Sequence, residues 1–149
     1  MNTVEKRIFL FLQGPHGPFF DRLGDMLGHA GCEVWRIGLN GGDAAYWSVD
    51  YRYLPFTDDM QNWPEFLRRV IDEKSITDIV LYGDTKPVHV DAKAQAEALG
   101  LTTHVFEEGY LRPYWVTYER GGANGHSKLM DMSIQDMRAA LESSQLDMP

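Results

Sequence analysis

The sequence predicts an α/β domain built on a doubly wound, mainly parallel sheet with helices on both faces. Three observations lead there. Apolar runs of strand length recur along the chain, they alternate with segments of helical periodicity, and turns bearing glycine or proline separate the two kinds. Continuous apolar runs suit strands covered on both faces, as in a parallel sheet. Strand–helix alternation is the pattern that such a sheet requires.

Arg7-Ile8-Phe9-Leu10-Phe11-Leu12-Gln13 is the first run. Gly14-Pro15-His16-Gly17 breaks it, and Pro18 suits the first turn of a helix. Phe19, Phe20, Leu23, Met26, Leu27 and Ala30 then recur at helical spacing, with Gly31 as the stop. Glu33 to Leu39 reads as a second strand, and Asn40-Gly41-Gly42-Asp43 as a turn. Tyr51-Arg52-Tyr53-Leu54 is a short strand ended by Pro55. Trp63-Pro64-Glu65 starts a helix carrying Phe66, Leu67, Val70 and Ile71. Asp78 to Gly83 is the clearest buried strand, followed by an alanine-rich helix from about Val88 to Leu99 that Gly100 closes. Thr102 to Phe106 forms a strand, Glu107-Glu108-Gly109 an acidic turn, and Tyr114 to Glu119 an alternating segment. Ser133 is placed to cap a last helix with Ile134, Met137, Ala140 and Leu141, and the polar end from Ser143 is expected to fray. This divides the chain into an α/β domain at 1–127 and a carboxy-terminal helix and tail at 128–149.

A chain of 149 residues is the size of one ordinary domain, and 44% hydrophobic with 24% charged residues is a globular composition. Twenty-two acidic residues against 14 Lys plus Arg give a formal charge of −8, which argues against nucleic acid as a partner. The single cysteine, Cys32, forms no internal disulfide and suits a reducing compartment. The apolar run from Ile8 to Leu12 is too short for a signal-peptide core, and no stretch approaches the roughly 20 apolar residues of a membrane span. A cytoplasmic location is the expectation.

In open α/β sheets, ligands bind beyond the carboxyl ends of the strands, near the point where strand order reverses. Four loops fall at that edge: Gln13 to Gly17, Asn40 to Asp43, Gly83 to Pro87, and Glu107 to Pro113. Glycine lets backbone approach a ligand, and helix starts favour anions, although each loop also reads as a plain βα turn. The dinucleotide fingerprint, the Walker motif and the Gly-x-Ser-x-Gly elbow are all missing. The five histidines lie far apart in different elements, so no metal site is expected, and His29 and His104 read as surface or core-edge residues.

The acidic turn differs in kind. A carboxylate there can act as general base or nucleophile at a sugar carbon. It can equally pair with Arg112 or accept backbone amides. If the chain is still extended there, Glu107 and Glu108 point to opposite sides, so only one faces the cleft. Glu108, nearer the glycine bend, is preferred over Glu107, and Glu119 is a third candidate. The aromatic stretch of Tyr46, Trp47, Tyr51 and Tyr53 has two readings, sugar stacking or packing, with packing favoured.

Phe11 to Pro15, Gly17 to Phe20, Gly41-Gly42-Asp43, Gly83-Asp84, Val105 to Pro113, Trp115 to Gly122 and Asn124 to Ser127 together resemble the capsule polysaccharide biosynthesis and export proteins. The likeness covers about residues 7 to 127, in order. It implies a retaining β-Kdo transferase of GT-B type, in which two Rossmann-like domains face each other across a cleft. CMP-Kdo is then the donor substrate, with no permanently bound cofactor. Glu107-Glu108-Gly109 matches the element bearing the catalytic carboxylate. The substrate-binding set that the likeness and the loops together suggest is Gln13, Gly14, Gly41, Gly42, Asp43, Asp84, Lys86, Gly109, Arg112, Glu119, Asn124 and His126.

The implied partners are a glycolipid or polysaccharide acceptor, a second Rossmann-like domain, and a capsule assembly complex at the inner membrane, with the chain peripheral to that membrane. Two departures stand out. The sequence has no His-Pro dipeptide, which belongs to the nucleotide-binding second domain, and Lys86 stands where arginine is expected. The chain therefore reads as an amino-terminal acceptor-side domain, inactive alone. The alternative is a non-catalytic domain that binds a glycan or anionic headgroup through Arg112, Lys86 and the amides near Gly14 and Gly41.

Overall fold

The computed structural model describes residues 6–49, 52–111 and 113–144. Strands β1 (Ile8–Phe11), β2 (Glu33–Gly38), β3 (Tyr53–Pro55), β4 (Asp78–Tyr82), β5 (Thr102–Glu108) and β6 (Val116–Arg120) form one sheet of order β3-β2-β1-β4-β5-β6. The first five are mutually parallel, and β6 runs antiparallel to β5. Strand order reverses between β1 and β4, so the crevice that favours ligands opens above that pair. The expected doubly wound, Rossmann-like sheet is the observed one.

Side-chain alternation along the strands builds two cores. Leu10, Leu12, Ile79, Leu81 and Val105 face α3 (Trp63–Lys74) and α4 (Pro87–Leu99), meeting Leu67, Val70, Ile71, Val88, Ala92 and Ala96. Phe9, Phe11, Val34 and Val80 face the other way and pack with Phe20 of α1 (Phe19–His29) and with Trp47. Burial on both faces is why these strands read as continuous apolar runs. The stops also match: Gly31 and Gly100 take positive φ just past α1 and at the end of α4.

Three features differ from the sequence reading. The Asn40–Asp43 cluster is the cap and first turn of a short helix, α2 (Gly41–Ala45), because the Asn40 side chain accepts the Asp43 amide at 3.1 Å. The short strand starts at Tyr53 and includes Pro55; Tyr51 lies outside the described residues. As the last residue of an edge strand, Pro55 needs no ladder donor there. Finally, β5 continues through both glutamates, since β6 pairs Thr117 with Glu107 and Val116 with Glu108. The turn begins at Gly109.

Of the aromatic stretch, Trp47 packs into the core. Trp47 is buried 5.8 Å from the Phe11 ring, and Gly24 admits it, because a Cβ there would lie 2.8 Å from its indole. Tyr53 is half-buried, while Tyr46 stays exposed. Past β6, two 3-10 turns (Asn124–His126 and Lys128–Asp131) lead to α5 (Ile134–Ser143), which Ser133 caps reciprocally with Asp136. No helix among the described residues is long and apolar enough to cross a membrane.

Candidate functional site

Because β1, β2, β4 and β5 are parallel, their carboxyl ends share one edge, and the four loops singled out in the sequence gather there. Across the strand-order reversal, Lys86 Nζ donates to Gln13 Oε1 at 2.9 Å, tying the β4–α4 loop to the β1–α1 loop. On the β5 side of this bridge lies an open cleft of about 700 Å³, bordered by Gly14, His16, Gly83, Lys86, Glu107 and Glu108. On the other side, a cleft of about 540 Å³ runs past Asn40 and Asp58. A further cavity of about 270 Å³ sits between α1 and Trp47, Ser48 and Arg52, away from the strand-end loops.

The glutamates leave β5 on opposite faces, as an extended chain demands. Glu107 shares the α4 face with Thr117, and Glu108 shares the α1 face with Val116. Both nevertheless border the cleft, because it lies across the end of the strand rather than on one face of it. That corrects the expectation that only one would.

Their surroundings differ. Glu108 is exposed, whereas Glu107 is half-buried, close enough to Gly83 that a Cβ there would lie 3.3 Å from its carboxylate. Burial, then the negative charges of Asp84 and Glu108, push the Glu107 carboxyl above its ordinary pKa. Of the two carboxylates, Glu107 is the more enclosed.

Asp84 supports this arrangement from beneath. It is buried and accepts hydrogen bonds from Lys93 Nζ at 2.9 Å, His126 Nδ1 at 3.1 Å and the Ala123 amide at 3.3 Å. Burial works to raise its pKa, but the bonds from Lys93 and Ala123 outweigh burial and hold the carboxyl below its usual range. One residue earlier, the Gly83 amide donates to the Phe106 carbonyl at 2.7 Å, and the Gly83 carbonyl accepts from His89 Nδ1 at 2.7 Å. Burial pushes the His89 imidazole down to about 4, so the ring is neutral near pH 7 and Nδ1 carries the proton.

The two acids have opposite linkage. The depressed Asp84 contributes stability that is present above the ordinary carboxylate pKa of about 3.9 and is lost as pH falls through its lower folded value. For the raised Glu107, stability is present below the unfolded value, about 4.3, and is lost as pH rises through the folded one. Urea denaturation at pH 6 and pH 3 should therefore show a smaller acid loss for Asp84→Asn than for the unaltered chain. An equal loss would mean that Asp84 does not carry the acid sensitivity assigned to it.

The remaining candidates are placed as follows. Gly14 packs against Phe20, where a Cβ would lie 2.6 Å from the ring. Gly41 and Gly42 open α2, next to the cleft that Asn40 borders. Asp43 is turned inward, bonded to Arg36 Nη2 at 3.1 Å and to the Leu39 amide at 2.9 Å. Glu119 accepts the Lys128 amide at 2.7 Å, away from Glu107 and Glu108. Arg112 and the Asn124 side chain lie outside the described residues.

Gly109 is buried, and its amide donates to the Trp115 carbonyl at 2.8 Å. A Cβ there would lie 2.6 Å from that oxygen, so Gly109→Ala must push β6 away from the acidic strand end. A loss of about 1–3 kcal/mol in urea denaturation is expected from such overpacking; an unchanged midpoint would show that the close approach is not required. Among the described residues, no group of three or more His, Cys, Asp or Glu side chains is assembled to hold a metal.

Residues 77–145, which include Asp84, Lys86, both glutamates and His126, match a family model described as capsule polysaccharide biosynthesis protein. Over 127 residues the chain is 42% identical to the capsule polysaccharide modification protein LipB of Neisseria meningitidis serogroup A, covering 80% of this chain and 29% of the relative. The serogroup B protein matches equally. Over 121 residues it is 38% identical to the capsule polysaccharide export protein KpsS of Escherichia coli, covering 81% of this chain and 31% of the relative. The chain belongs to the capsule polysaccharide biosynthesis protein family. It spans about a third of the length of these curated relatives.

Within this family member, sequence reasoning missed Lys93 and His89. No local spacing rule links Lys93 to Asp84 nine residues away, and His89 is recognisable only once the first turn of α4 is seen beneath Gly83. His16, quoted only as part of its loop, borders the cleft as well.

Proposed function

We propose that this chain is the acceptor-side domain of a capsule polysaccharide glycosyltransferase that moves Kdo from CMP-Kdo to a lipid-linked acceptor, and that it is inactive without a nucleotide-binding partner domain. The observation that carries this reading is Glu107: a half-buried carboxylate with a raised pKa, on a cleft beside the strand-order reversal. A carboxyl poised nearer neutrality suits proton exchange with a hydroxyl. For a retaining transfer the acceptor oxygen bonds to the anomeric carbon on the face from which CMP departs, the bond to CMP breaks, and the acceptor hydroxyl's proton passes to Glu107. The names of the relatives, which concern capsule polysaccharide modification and export, support the same process.

The cleft supplies the acceptor half only. Among its described lining residues the cation is Lys86, which is bonded to Gln13, and two carboxylates face it, a poor setting for the phosphate and carboxylate charges of CMP-Kdo. The same charge balance disfavours a module that binds only anionic headgroups. The reading places the chain on the cytoplasmic side of the inner membrane, peripheral to it, where lipid-linked acceptor is met.

A chimera in which this chain replaces the matching stretch of Escherichia coli KpsS tests the proposal. With CMP-Kdo and a lipid acceptor, the chimera is expected to transfer Kdo and the 149-residue chain alone is not. A folded chimera that binds CMP-Kdo and transfers nothing would count against it.

A further inference from the structure

We propose that Tyr118, His104 and Asp78 form a pH-sensitive clasp, in which a neutral His104 ring holds edge strand β6 on the sheet and protonation of that ring lets β6 lift away. The clasp goes beyond the transfer reading and does not depend on it, since none of its three groups borders the cleft that holds Glu107.

His104 stands in β5 between its two partners. Its Nε2 lies 2.7 Å from Asp78 Oδ1 at the start of β4, and its Nδ1 lies 2.7 Å from the Tyr118 hydroxyl on β6. Burial works to raise the Asp78 pKa, but the bonds from Arg7, His104 and Thr77 outweigh burial and hold the carboxyl below its usual range. An ionised carboxylate only accepts, so His104 Nε2 carries the proton and Nδ1 accepts from Tyr118. Phenol, imidazole and carboxylate thus make one directed chain from the sheet edge into its interior. His104 is 6% exposed and Asp78 2%, whereas Tyr118 is 49% exposed. The Tyr118 ring stacks on His104, 5.8 Å away at an interplanar angle of 14°.

A charged ring has no comparable setting there. Asp78 Oδ1 already takes Arg7 Nη2, which lies 3.4 Å from His104 Nε2. Arg120 of β6 is a second cation acting on the ring, and Cys32 is within electrostatic reach of Arg7. Among the described residues, the rest of the surrounding cavity is apolar, walled by Phe9, Val80 and Phe106 of the sheet and by Leu23 and Leu27 of α1. Burial is the largest influence on His104; with Arg7 and Arg120 it outweighs the pull of Asp78 and puts the imidazole below its ordinary pKa. Stability that needs the neutral ring is therefore complete above the unfolded value, about 6.5, and is lost as pH falls through the lower folded one.

The part that gives way is β6. It ends the described sheet and pairs only with β5, while β1 and β4 send side chains into both cores. Lifting Tyr118 with this strand admits water to a charged ring at less cost than opening the central strands. Because Thr117 pairs with Glu107 and Val116 with Glu108, the same motion frees the acidic end of β5 from its partner strand.

Imidazole NMR and amide hydrogen exchange on the 149-residue chain test the clasp. At about pH 7.5 His104 is expected as the Nε2–H tautomer, with a titration midpoint below about 6.5. The Gly121 amide, which donates to the Thr103 carbonyl at 3.0 Å, reports on β6. Its protection factor should fall between about pH 7.5 and 5, by up to about tenfold for each unit by which the midpoint is lowered. The Leu12 amide, which donates to the Val80 carbonyl at 3.1 Å, should stay better protected throughout, because β6 opens without the central strands. In His104→Gln, which keeps a polar side chain but cannot titrate, the fall at Gly121 should vanish.

An Nδ1–H tautomer, a midpoint at or above the ordinary value, or pH-independent protection at Gly121 would each overturn the clasp. So would equal protection at Gly121 and Leu12, or a fall that persists in His104→Gln. All but the last are read on the unaltered chain, so they decide the matter even where the variant does not fold.

Discussion

Glu107→Gln in the KpsS chimera is expected to lower Kdo transfer about a thousandfold, within the range that a positioned proton-transfer group contributes. The same change in the 149-residue chain should leave the thermal midpoint at pH 7 unchanged or higher. The reason is local. The Glu107 carboxyl is partly desolvated and faces the charges of Asp84 and Glu108, so removing its negative charge relieves the fold. A group whose loss harms activity but not stability is held in place for chemistry. Glu108→Gln should cost less, because Glu108 is exposed. If Glu108→Gln were the more damaging change, the assignment of the two carboxylates would be reversed.

Asp43→Ala should have the largest effect on stability, about 3–5 kcal/mol, because it strands a buried cation. Arg36 is 2% exposed, and burial pushes its pKa down against the opposing pull of Asp43. Among the described residues, besides Asp43, its guanidinium donates to the Tyr46 carbonyl at 3.4 Å and lies over the Trp47 and Phe20 rings at 5.5 and 5.9 Å. A loss of this size removes a large share of what a domain this long typically has. Replacing both partners, Arg36→Met with Asp43→Leu, should recover most of it in urea denaturation, since no charge is then left buried. If Asp43→Ala leaves stability intact but weakens acceptor binding, Asp43 contacts substrate and the ion pair is incidental.

Asp43 also shows where sequence reading stops. In the sequence it is a polar residue of a glycine-rich turn, which suggests a ligand contact. Its partner Arg36 belongs to a strand seven residues earlier, and only burial shows that the two are locked together. The same blindness hid α2, whose residues Gly41 to Ala45 include two poor helix formers. That helix depends on the Asn40 cap and on the Arg36 tie more than on propensity. By contrast, β1 and β4 were legible because alternate residues feed two different apolar cores, leaving no polar break in either run.

The site was half legible. Gln13, Gly14, Lys86, Glu107 and Glu108 were readable as loop residues at strand ends, and parallel pairing then gathers them. The extension of β5 through its two glutamates was not, because charge is a poor sign of a strand; the pairing partner Val116 creates it. Nor was the Lys93–Asp84–His126 cluster, whose members stand nine and 42 residues apart. Trp115 and Tyr114 read as part of an alternating strand, whereas β6 begins only after them.

The claim on which the account rests is that an acceptor meets this chain at the carboxyl edge, between the β1 and β4 loops and the end of β5. Amide chemical-shift mapping of the 149-residue chain during titration with a short glycolipid acceptor tests it directly. The account expects the shifts to concentrate at Gly14, Gly83, Lys86 and Glu107 to Gly109. Shifts centred on Asp21, Trp47 and Ser48, with the two glutamates unmoved, would contradict it.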